Sequence, residues 1–369
     1  LAGVAGAICL GGPGAIFWMW LCGILGMVTK YAEAVLAVRY RVETAQGFLG
    51  GPMYVIEKGL GSRWKPMAVC YSLFGLTASF GVGNAAQINA AITSINGISA
   101  SVFSGSFLWG ILFAGIIGSL LFGGAGSIGR TAERLVPFAA AGYILLCFGV
   151  LVVRITEIPR AFSQIILGAF CPKAVTGGLL GSGFRALRVG CSRGVFTNEA
   201  GMGTAGMAHG GADVEHPAQQ GMMGIVEVFL DTIVICTLTA LVILTSGVDI
   251  PYGVDVGAEL TQMAFQSVYG PVSSVFLALS LSLFAVAAVL GWGLYGGRCA
   301  QYLFGQKVWK LYAGAQTGMV MAGALLDTGL VWQISEVLNG LMVIPNLITL
   351  AVLTPEVVRL TIEYRKSGA

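Results

Sequence analysis

Residues 196–206 read Phe196-Thr197-Asn198-Glu199-Ala200-Gly201-Met202-Gly203-Thr204-Ala205-Gly206, an Asn-Glu pair followed by small residues within an otherwise apolar stretch. Each glycine inside a helix is roughly 1 kcal/mol less favourable than alanine, so the cluster predicts an unwound helix. Unwinding frees N–H and C=O groups, and the two half-helix ends point opposite dipoles into the gap, which suits a carboxylate and a cation. Close helix packing through small residues is the alternative. Packing accounts for the glycines but not for Asn198 and Glu199, so the sequence favours an interrupted helix.

The composition around this stretch is that of a polytopic helical membrane protein. Hydrophobic residues make up 56% of the 369 positions and charged residues 10%, against about 25% charged in a soluble domain. The mean hydropathy is +0.84. A soluble protein of this length needs more polar residues than this to cover its surface, so the apolar surface is expected to face lipid.

A helix needs about 20 apolar residues to cross a bilayer. Eight stretches qualify: 15–40, 66–92, 107–124, 135–153, 222–244, 271–297, 312–326 and 330–353. The interrupted stretch 183–209 is a ninth. Residues 1–11 are too short to cross and read as the end of a first helix in an N-terminally truncated chain. The sequence therefore predicts ten spans, numbered here one to ten in chain order, in an all-α fold.

The basic residues of the loops predict the orientation of these spans. Thirteen lie on one side of the membrane: Arg39, Arg41, Lys58, Arg63, Lys65, Arg130, Arg134, Arg298, Lys307, Lys310, Arg359, Arg365 and Lys366. Three lie on the other side: Arg154, Arg160 and Lys173. The first side is therefore predicted to be cytoplasmic, with the C-terminus inside.

A weak internal sequence similarity predicts how the spans are organised. Thr204-Ala205-Gly206-Met207-Ala208 is similar to Leu1-Ala2-Gly3-Val4-Ala5, and spans one and six are the positions that a five-plus-five inverted repeat makes equivalent. We expect residues 1–154 to form the first repeat, 155–182 an extracellular connection, 183–353 the second repeat and 354–369 a cytoplasmic tail. Residues 155–170 and 355–366 are amphipathic and predict short helices at the outer and cytoplasmic surfaces.

Polar residues inside the spans are candidates for function. Lys30 and Glu33 lie three apart on one helical face, which favours a structural ion pair. Glu227 and Asp231 in span seven either line a cavity or hydrogen-bond to neighbouring helices. Span three carries Asn84, Gln87 and Asn89; such amides often bond to an adjacent helix, but they also suit a zwitterionic ligand.

The remaining residue types argue against several classes of protein. The net charge of +3 indicates no nucleic-acid-binding patch, and no two of the eight cysteines are spaced C-x-x-C. A membrane-embedded metalloenzyme is one alternative function, because His209, Asp213 and His216 share one face if the segment is helical. The segment is polar and loop-like, which argues against a metal site, and no cofactor is predicted.

Five blocks, in order along the chain, resemble the alanine or glycine:cation symporter family. They are Gly11-Gly12-Pro13-Gly14-Ala15 to Trp20, Lys30-Tyr31-Ala32-Glu33, Gly51-Pro52-Met53-Tyr54-Val55-Ile56-Glu57-Lys58-Gly59-Leu60-Gly61, Asn198-Glu199-Ala200-Gly201-Met202-Gly203 with Ala208-His209, and Leu290-Gly291-Trp292 with Tyr295-Gly296 and Arg298-Cys299. The resemblance implies a leucine-transporter-like bundle in the plasma membrane, the inner membrane of a prokaryote. It also implies a symporter, not an enzyme, that imports alanine or glycine with sodium as the coupling ion.

In that fold the substrate lies between broken helices one and six, flanked by helices three and eight. Carried onto this chain, the resemblance implies substrate contacts from these residues: Asn84, Gln87, Asn198, Glu199, Gly201, Met202, Gly203, Ala288 and Trp292. Trp292 is expected to limit the size of the substrate. Sodium, a hard cation that prefers oxygen ligands, is expected between helices one and eight, near these residues: Leu1, Val4, Ser280, Ser282 and Ala287.

The chain departs from the family pattern at two places. The glycine-rich segment that precedes the position of Leu1 in the family is absent from this sequence, and with it half of the implied substrate site. Family members usually carry Thr or Ser just before Leu-Gly-Trp, where this chain has Ala287 and Ala288. A methyl group cannot replace an oxygen ligand, so a proton-coupled carrier, with Glu199 or Asp231 carrying the proton, is a second alternative.

Overall fold

The computed structural model of the chain describes residues 2–44, 47–98, 105–171, 183–254, 257–326 and 329–367, and of residues 2 and 329–336 only the backbone. The helices of its first half are α1 (Ala2–Gly11), α2 (Gly14–Arg39), α3 (Pro52–Val55), α4 (Lys65–Phe80), α5 (Ala86–Ile98), α6 (Ser106–Phe122), α7 (Gly124–Val153) and α8 (Ile158–Phe170). Those of its second half are α9 (Gly183–Asn198), α10 (Thr204–His209), α11 (Pro217–Val228), α12 (Cys236–Thr245), α13 (Ala258–Tyr269), α14 (Val272–Phe304), α15 (Trp309–Leu325) and α16 (Gly329–Lys366). A short antiparallel hairpin, β1 (Val42–Thr44) and β2 (Gly47–Leu49), follows α2.

Short helical segments of other types connect or interrupt these helices. Among the described residues, three segments are π-helical: Ile56–Leu60, Gly81–Ala85 and Phe229–Ile235. Three others in the same ranges are 3₁₀ turns: Ser62–Trp64, Ile155–Glu157 and Gln306–Val308. The π segments at Gly81–Ala85 and Phe229–Ile235 lie inside spans three and seven, and such segments are frequent at functional sites.

Within the described residues, six helical runs are long and apolar enough to cross a membrane: Gly14–Arg39, Ser62–Ile98, Gly124–Val153, Pro217–Thr245, Val272–Phe304 and Val337–Lys366. Shorter helices occupy the predicted spans four, six and nine. A multi-pass, all-α membrane protein is therefore confirmed, whereas the count of ten spans and the inverted-repeat boundaries stay predictions.

The prediction of a separate tail helix at residues 355–366 is wrong. α16 runs without interruption from Gly329 to Lys366 and contains Pro345 and Pro355. A proline inside a helix removes one backbone hydrogen bond, yet this helix continues through both prolines and packs along α4. The amphipathic segment is thus the last three turns of the final helix.

The contacts of the chain define two compact units. The first unit contains Leu1–Val28, Ala139–Ala200 and Val226–Ser280. Its helices pack closely through small residues: a β-carbon on Gly190 would lie 2.4 Å from the Ala15 carbonyl oxygen, and one on Gly14 2.0 Å from the Gly168 carbonyl carbon. These close approaches hold α2 against α8 and α9.

The second unit contains Thr29–Phe138, Gly201–Ile225 and Leu281–Ala369. Its main apolar core joins α5, α6, α14 and α15. Fully buried side chains in this core include Ile88, Ile117, Leu121 and Val289. A second cluster joins α2 to α16 through Val35, Leu36 and Leu353. These two clusters fix the helices that carry most of the polar residues described next.

Candidate functional site

The interruption of the sixth span is present where the glycines predict it. α9 ends at Asn198, α10 begins at Thr204, and the five residues between them are not helical. Glu199, Gly201 and Gly203 have φ values of 55°, 91° and 80°. Glu199 is the one non-glycine residue with positive φ in the described chain. Because a side chain in this region is strained by about 1–3 kcal/mol, the surrounding contacts must hold the break in place.

Asn198 holds the first half of the break, within the first unit. Its Oδ1 accepts a hydrogen bond of 3.0 Å from the Ala200 amide, an Asx turn that replaces a lost helical bond. Gly26 of α2 lies against this turn, since a β-carbon there would be 3.2 Å from the Ala200 β-carbon and 3.4 Å from Asn198 Nδ2. The buried Asn198 side chain therefore shapes the backbone where the helix stops.

Glu33 of α2 holds the second half of the break, within the second unit. Its Oε1 accepts hydrogen bonds from the Gly201 amide at 2.9 Å and the Gly203 amide at 3.1 Å. Asn346 of α16 donates to the same oxygen at 2.7 Å and to the Gly201 carbonyl at 2.9 Å. The carboxylate thus hydrogen-bonds to the main chain of the break, and the charge of Lys30 also acts on it. Glu33 and Asn346 replace the helical hydrogen bonds that the break loses.

The other carboxylate oxygen, Glu33 Oε2, is buried and makes no hydrogen bond to the described groups. Glu33 borders a cavity of about 10 Å³ that Pro52, Gly203, Asn346 and Thr349 also line. That volume suits a single water molecule. The carboxylate therefore combines one oxygen bound to main-chain amides with one oxygen beside a small enclosed space.

Tyr71 and Gly203 complete the support of the break. The Tyr71 hydroxyl donates to the Met202 carbonyl at 2.8 Å. A β-carbon on Gly203 would lie 2.3 Å from Pro52 Cγ, 2.8 Å from Asn346 Oδ1 and 2.9 Å from Tyr71 Oη. Protein side chains therefore bond to the main chain at Gly201, Met202 and Gly203, the groups predicted to hold a solute.

Asn84, predicted to contact substrate, hydrogen-bonds to Gln316 of α15. It lies in the π segment of span three, is fully buried, and donates both to the Gln316 carbonyl at 2.9 Å and to Gln316 Oε1. Gln316 Nε2 in turn donates to the Ser79 hydroxyl at 3.0 Å and the Tyr312 hydroxyl at 2.6 Å. Asn84 therefore bonds α15 to span three through its amide nitrogen, and its contact with the substrate stays a prediction.

Gln87 and Trp292 are better placed for a ligand. Gly83 lies one turn before Gln87, and a β-carbon on Gly83 would be 2.4 Å from Trp292 Cγ, so Trp292 packs against the face of span three that Gln87 shares. Gln87 is half-buried, and its amide has no hydrogen bond to the described residues. The second unit therefore brings a buried indole beside a helix face with an available amide.

The residues predicted to surround sodium are divided between the two units. Leu1 lies outside the described residues. Val4 and Ser280 belong to the first unit, and Ser282 and Ala287 to the second. Ala288 lies four residues before Trp292, on the same face of α14, and is half-buried. The sodium site stays a prediction.

The metal-site alternative is wrong in its geometry. α10 ends at His209, so Asp213 and His216 do not continue on the same helical face. His209 Nδ1 and Gln220 Nε2 are 2.6 Å apart, and the His216 ring stacks on Tyr364 at 5.1 Å. The described residues hold no group of three metal-ligating side chains.

The whole chain, residues 1–369, matches the model of the sodium:alanine symporter family. The chain belongs to that family. Relatives include the sodium/alanine symporter AgcS of Methanococcus maripaludis, 41% identical over 100% of this chain and 82% of the relative. The amino-acid carrier protein AlsT of Bacillus subtilis is 35% identical over 99% of this chain and 77% of the relative. The family consists of transporters and not enzymes, as predicted.

A solved structure of similar fold supports the architecture of this family member. The crystal structure of MhsT in complex with L-phenylalanine aligns with a TM-score of 0.62, covering 96% of this chain and 87% of that chain at 14% identity. At this identity the likeness concerns the fold alone. The predicted leucine-transporter-like fold is confirmed.

Glu33 was predicted to pair with Lys30, and Tyr71, Gln316 and Asn346 were not among the predicted site residues. A signal was available for the two amides, because an unpaired polar group in hydrocarbon costs several kcal/mol and so demands a partner. Asn346 and Gln316 each lie in an otherwise apolar run. Their partners, 313 residues away for Asn346 and 232 for Gln316, could not be read from the sequence.

Proposed function

We propose that this member of the sodium:alanine symporter family imports a small neutral amino acid, alanine or glycine, together with sodium. The observation that carries the proposal is the interrupted sixth span. Its left-handed residues at 199, 201 and 203 are held by Asn198 on one side and by Glu33 and Asn346 on the other. In transporters such a break places half-helix ends beside a solute within the membrane, and here Glu33, Tyr71 and Asn346 hold the main chain of the break in that shape.

Gln87 and Trp292 supply the substrate preference in this proposal. A neutral amide can hydrogen-bond to the carboxylate or the ammonium of a zwitterion without fixing its charge. The indole of Trp292, packed against Gly83, sets the wall that limits the side chain of the substrate. Alanine and glycine fit because they need almost no space beyond their backbone groups.

Sodium coupling in this proposal is a linkage between two binding events. The cation and the amino acid each bind more tightly to the conformation that the other favours, so each raises the affinity for the other. We expect spans one, two, six and seven to rock against spans three, four, eight and nine around a fixed site. The C-terminus is expected to lie in the cytoplasm.

Uptake by the full-length protein in proteoliposomes tests this proposal. We expect radiolabelled alanine or glycine to accumulate faster with an inward sodium gradient than with choline at the same pH. Uptake that is indifferent to sodium would refute the coupling. Failure to take up any small neutral amino acid, by protein that is folded and inserted, would refute the substrate class.

Proton coupling is the second candidate, and Ala287 and Ala288 favour it because neither side chain offers an oxygen ligand to sodium. Glu199 or Asp231 would then carry the proton. The same proteoliposomes distinguish the two, since a proton-driven carrier responds to an inward proton gradient and not to the replacement of sodium by choline. Glu199→Gln and Asp231→Asn should then each be tested for loss of the proton response.

A further inference from the structure

One face of the first turns of α7 is basic and forms an open groove of about 580 Å³. Six residues line it: Ser127, Arg130, Thr131, Arg134, Leu135 and Phe138. Their spacing of three and four residues places them on a single face of the helix. Two guanidinium groups and two hydroxyls thus alternate along a groove that continues onto two apolar side chains.

The two guanidinium groups are not neutralised by the described part of the protein. Arg130 and Arg134 are exposed, and neither forms a hydrogen bond or an ion pair with a described residue. Glu133 is adjacent in sequence but does not line the groove. Like charges four residues apart in a helix repel each other, so an anion bound between them would stabilise this face.

The groove lies where the helix enters the hydrocarbon. α7 has 30 residues, more than the roughly 20 that cross a bilayer, and its apolar run begins at Leu135. Phe138, one turn beyond Arg134, is 75% exposed. Only 28% of the most apolar window of α7 is buried, the smallest share among the six long spans. The arginines therefore lie at the membrane interface, and the apolar end of the groove faces lipid.

We propose that this groove binds the phosphate headgroup of an anionic phospholipid. Arg130 and Arg134 bond to the phosphate oxygens, as guanidinium groups do with high geometric fit, and Ser127 and Thr131 donate further hydrogen bonds. Leu135 and Phe138 contact the start of an acyl chain. A free phosphate ion would use the polar half alone, whereas a lipid uses both halves of the groove. The loop charges predict that Arg130 and Arg134 lie on the cytoplasmic side. Basic pockets on the cytoplasmic side of membrane proteins bind anionic lipid headgroups in the same way.

Binding of fluorescently labelled phosphatidylglycerol to the purified full-length protein in phosphatidylcholine nanodiscs tests the proposal. The double variant Arg130→Ala with Arg134→Ala should weaken binding about 30-fold, the effect expected from two basic side chains at an anionic surface. The matched control is Lys307→Ala with Lys310→Ala, which removes two exposed charges from another loop on the same predicted side. The control should bind the lipid as the unmodified protein does.

Further variants separate the two halves of the groove. Arg130→Lys with Arg134→Lys should keep most of the binding, and Phe138→Ala should weaken binding of the lipid but not of glycerol phosphate. Inorganic phosphate competes for the arginines but makes none of the apolar contacts, so it should displace the lipid only at concentrations far above that of the lipid. Equal losses in the Arg130/Arg134 and Lys307/Lys310 alanine pairs, displacement by an equal concentration of inorganic phosphate, or unchanged binding in the Arg130/Arg134 alanine pair would each overturn the proposal. Because the readout is lipid binding, it is independent of transport.

Discussion

Gly203 is the residue at which the least chemical change is expected to have the largest effect. Its φ of 80° disfavours any side chain, and a β-carbon would lie 2.3 Å from Pro52 Cγ. We expect Gly203→Ala to lower the free energy of unfolding by about 2–4 kcal/mol, from the strained backbone and the overpacking together, and to abolish alanine uptake. Thermal unfolding of the purified protein and uptake in proteoliposomes measure the two effects.

Gly318→Ala is the matched control for this substitution. A β-carbon there has nothing within 4 Å, and alanine is the better helix former, so this variant should be as stable as the unmodified protein or slightly more. If Gly203→Ala transports as well as Gly318→Ala, the break is not held as tightly as the contacts of Gly203 indicate.

Glu33 is the residue whose charge the break depends on. Glu33→Ala leaves two buried main-chain amides and the Asn346 amide without their acceptor, and each unmet group costs about 1–3 kcal/mol. Glu33→Gln keeps an acceptor oxygen but loses the charge, and hydrogen bonds to charged groups are roughly twice as strong as neutral ones. We therefore expect thermal stability and uptake to fall from the unmodified protein to Glu33→Gln and further to Glu33→Ala.

The exposed carboxylate Glu363 supplies the comparison for Glu33. Glu363→Ala removes the same group at the surface, where an ion pair with Arg359 contributes little, and should leave stability and uptake unchanged. Should Glu33→Gln prove less stable than Glu33→Ala, the acceptor oxygen is not what Glu33 supplies.

Trp292 is the residue predicted to set substrate size. Trp292→Ala removes the indole that packs against Gly83, so we expect larger neutral amino acids, such as leucine, to compete with alanine for uptake. Competition assays with a series of amino acids measure the change. Trp64→Ala, at a position 44% exposed, should keep the original preference. A Trp292→Ala carrier that still accepts only alanine-sized substrates would contradict this placement.

At the scale of the element, span three depends on a polar contact in its π segment. Gln316→Leu leaves the Asn84 amide with only the main-chain carbonyl of residue 316 and removes the side-chain donor to the Ser79 and Tyr312 hydroxyls. We expect it to lower the free energy of unfolding by about 1–3 kcal/mol. Asn84→Leu should do the same. The double variant should be less destabilised than the sum of the two, because both substitutions remove one interaction; additive effects, measured by thermal unfolding, would show that the two amides do not act together.

The helices themselves were predictable from the sequence to different degrees. Long apolar runs fixed the positions of α2, α7 and α14, because an uninterrupted run of that length has few alternatives to a membrane helix. The glycines at 201 and 203 revealed the break. The π segment at Gly81–Ala85 and the continuity of α16 through Pro355 were not predictable, because each depends on packing against other helices and leaves the apolar pattern unchanged.

At the scale of the whole molecule, the candidate site joins distant parts of the chain. Asn198, Glu199 and Gly203 belong to one short motif and were predicted because their residue types are unusual in an apolar span. Glu33 and Asn346 reach the same motif from helices at opposite ends of the sequence. A buried polar residue indicates that it has a hydrogen-bond partner, but the sequence does not show which residue that partner is. The contacts of Glu33 and Asn346 with the break could therefore not be predicted.

The orientation of the molecule is the property that the loop charges predict and that the fold alone leaves undecided. In a variant without the eight native cysteines, Thr156→Cys should react with a membrane-impermeant maleimide in intact cells, because residues 155–170 are predicted to lie outside. Ser367→Cys, beyond the last turn of α16, should react only after the cells are made permeable, since thirteen basic residues predict that its side is cytoplasmic. Both positions are exposed, so a difference in labelling reports sidedness and not burial. Labelling of Ser367→Cys from outside in intact cells would reverse the orientation, and the α7 groove would then face the leaflet that is poorer in anionic lipid.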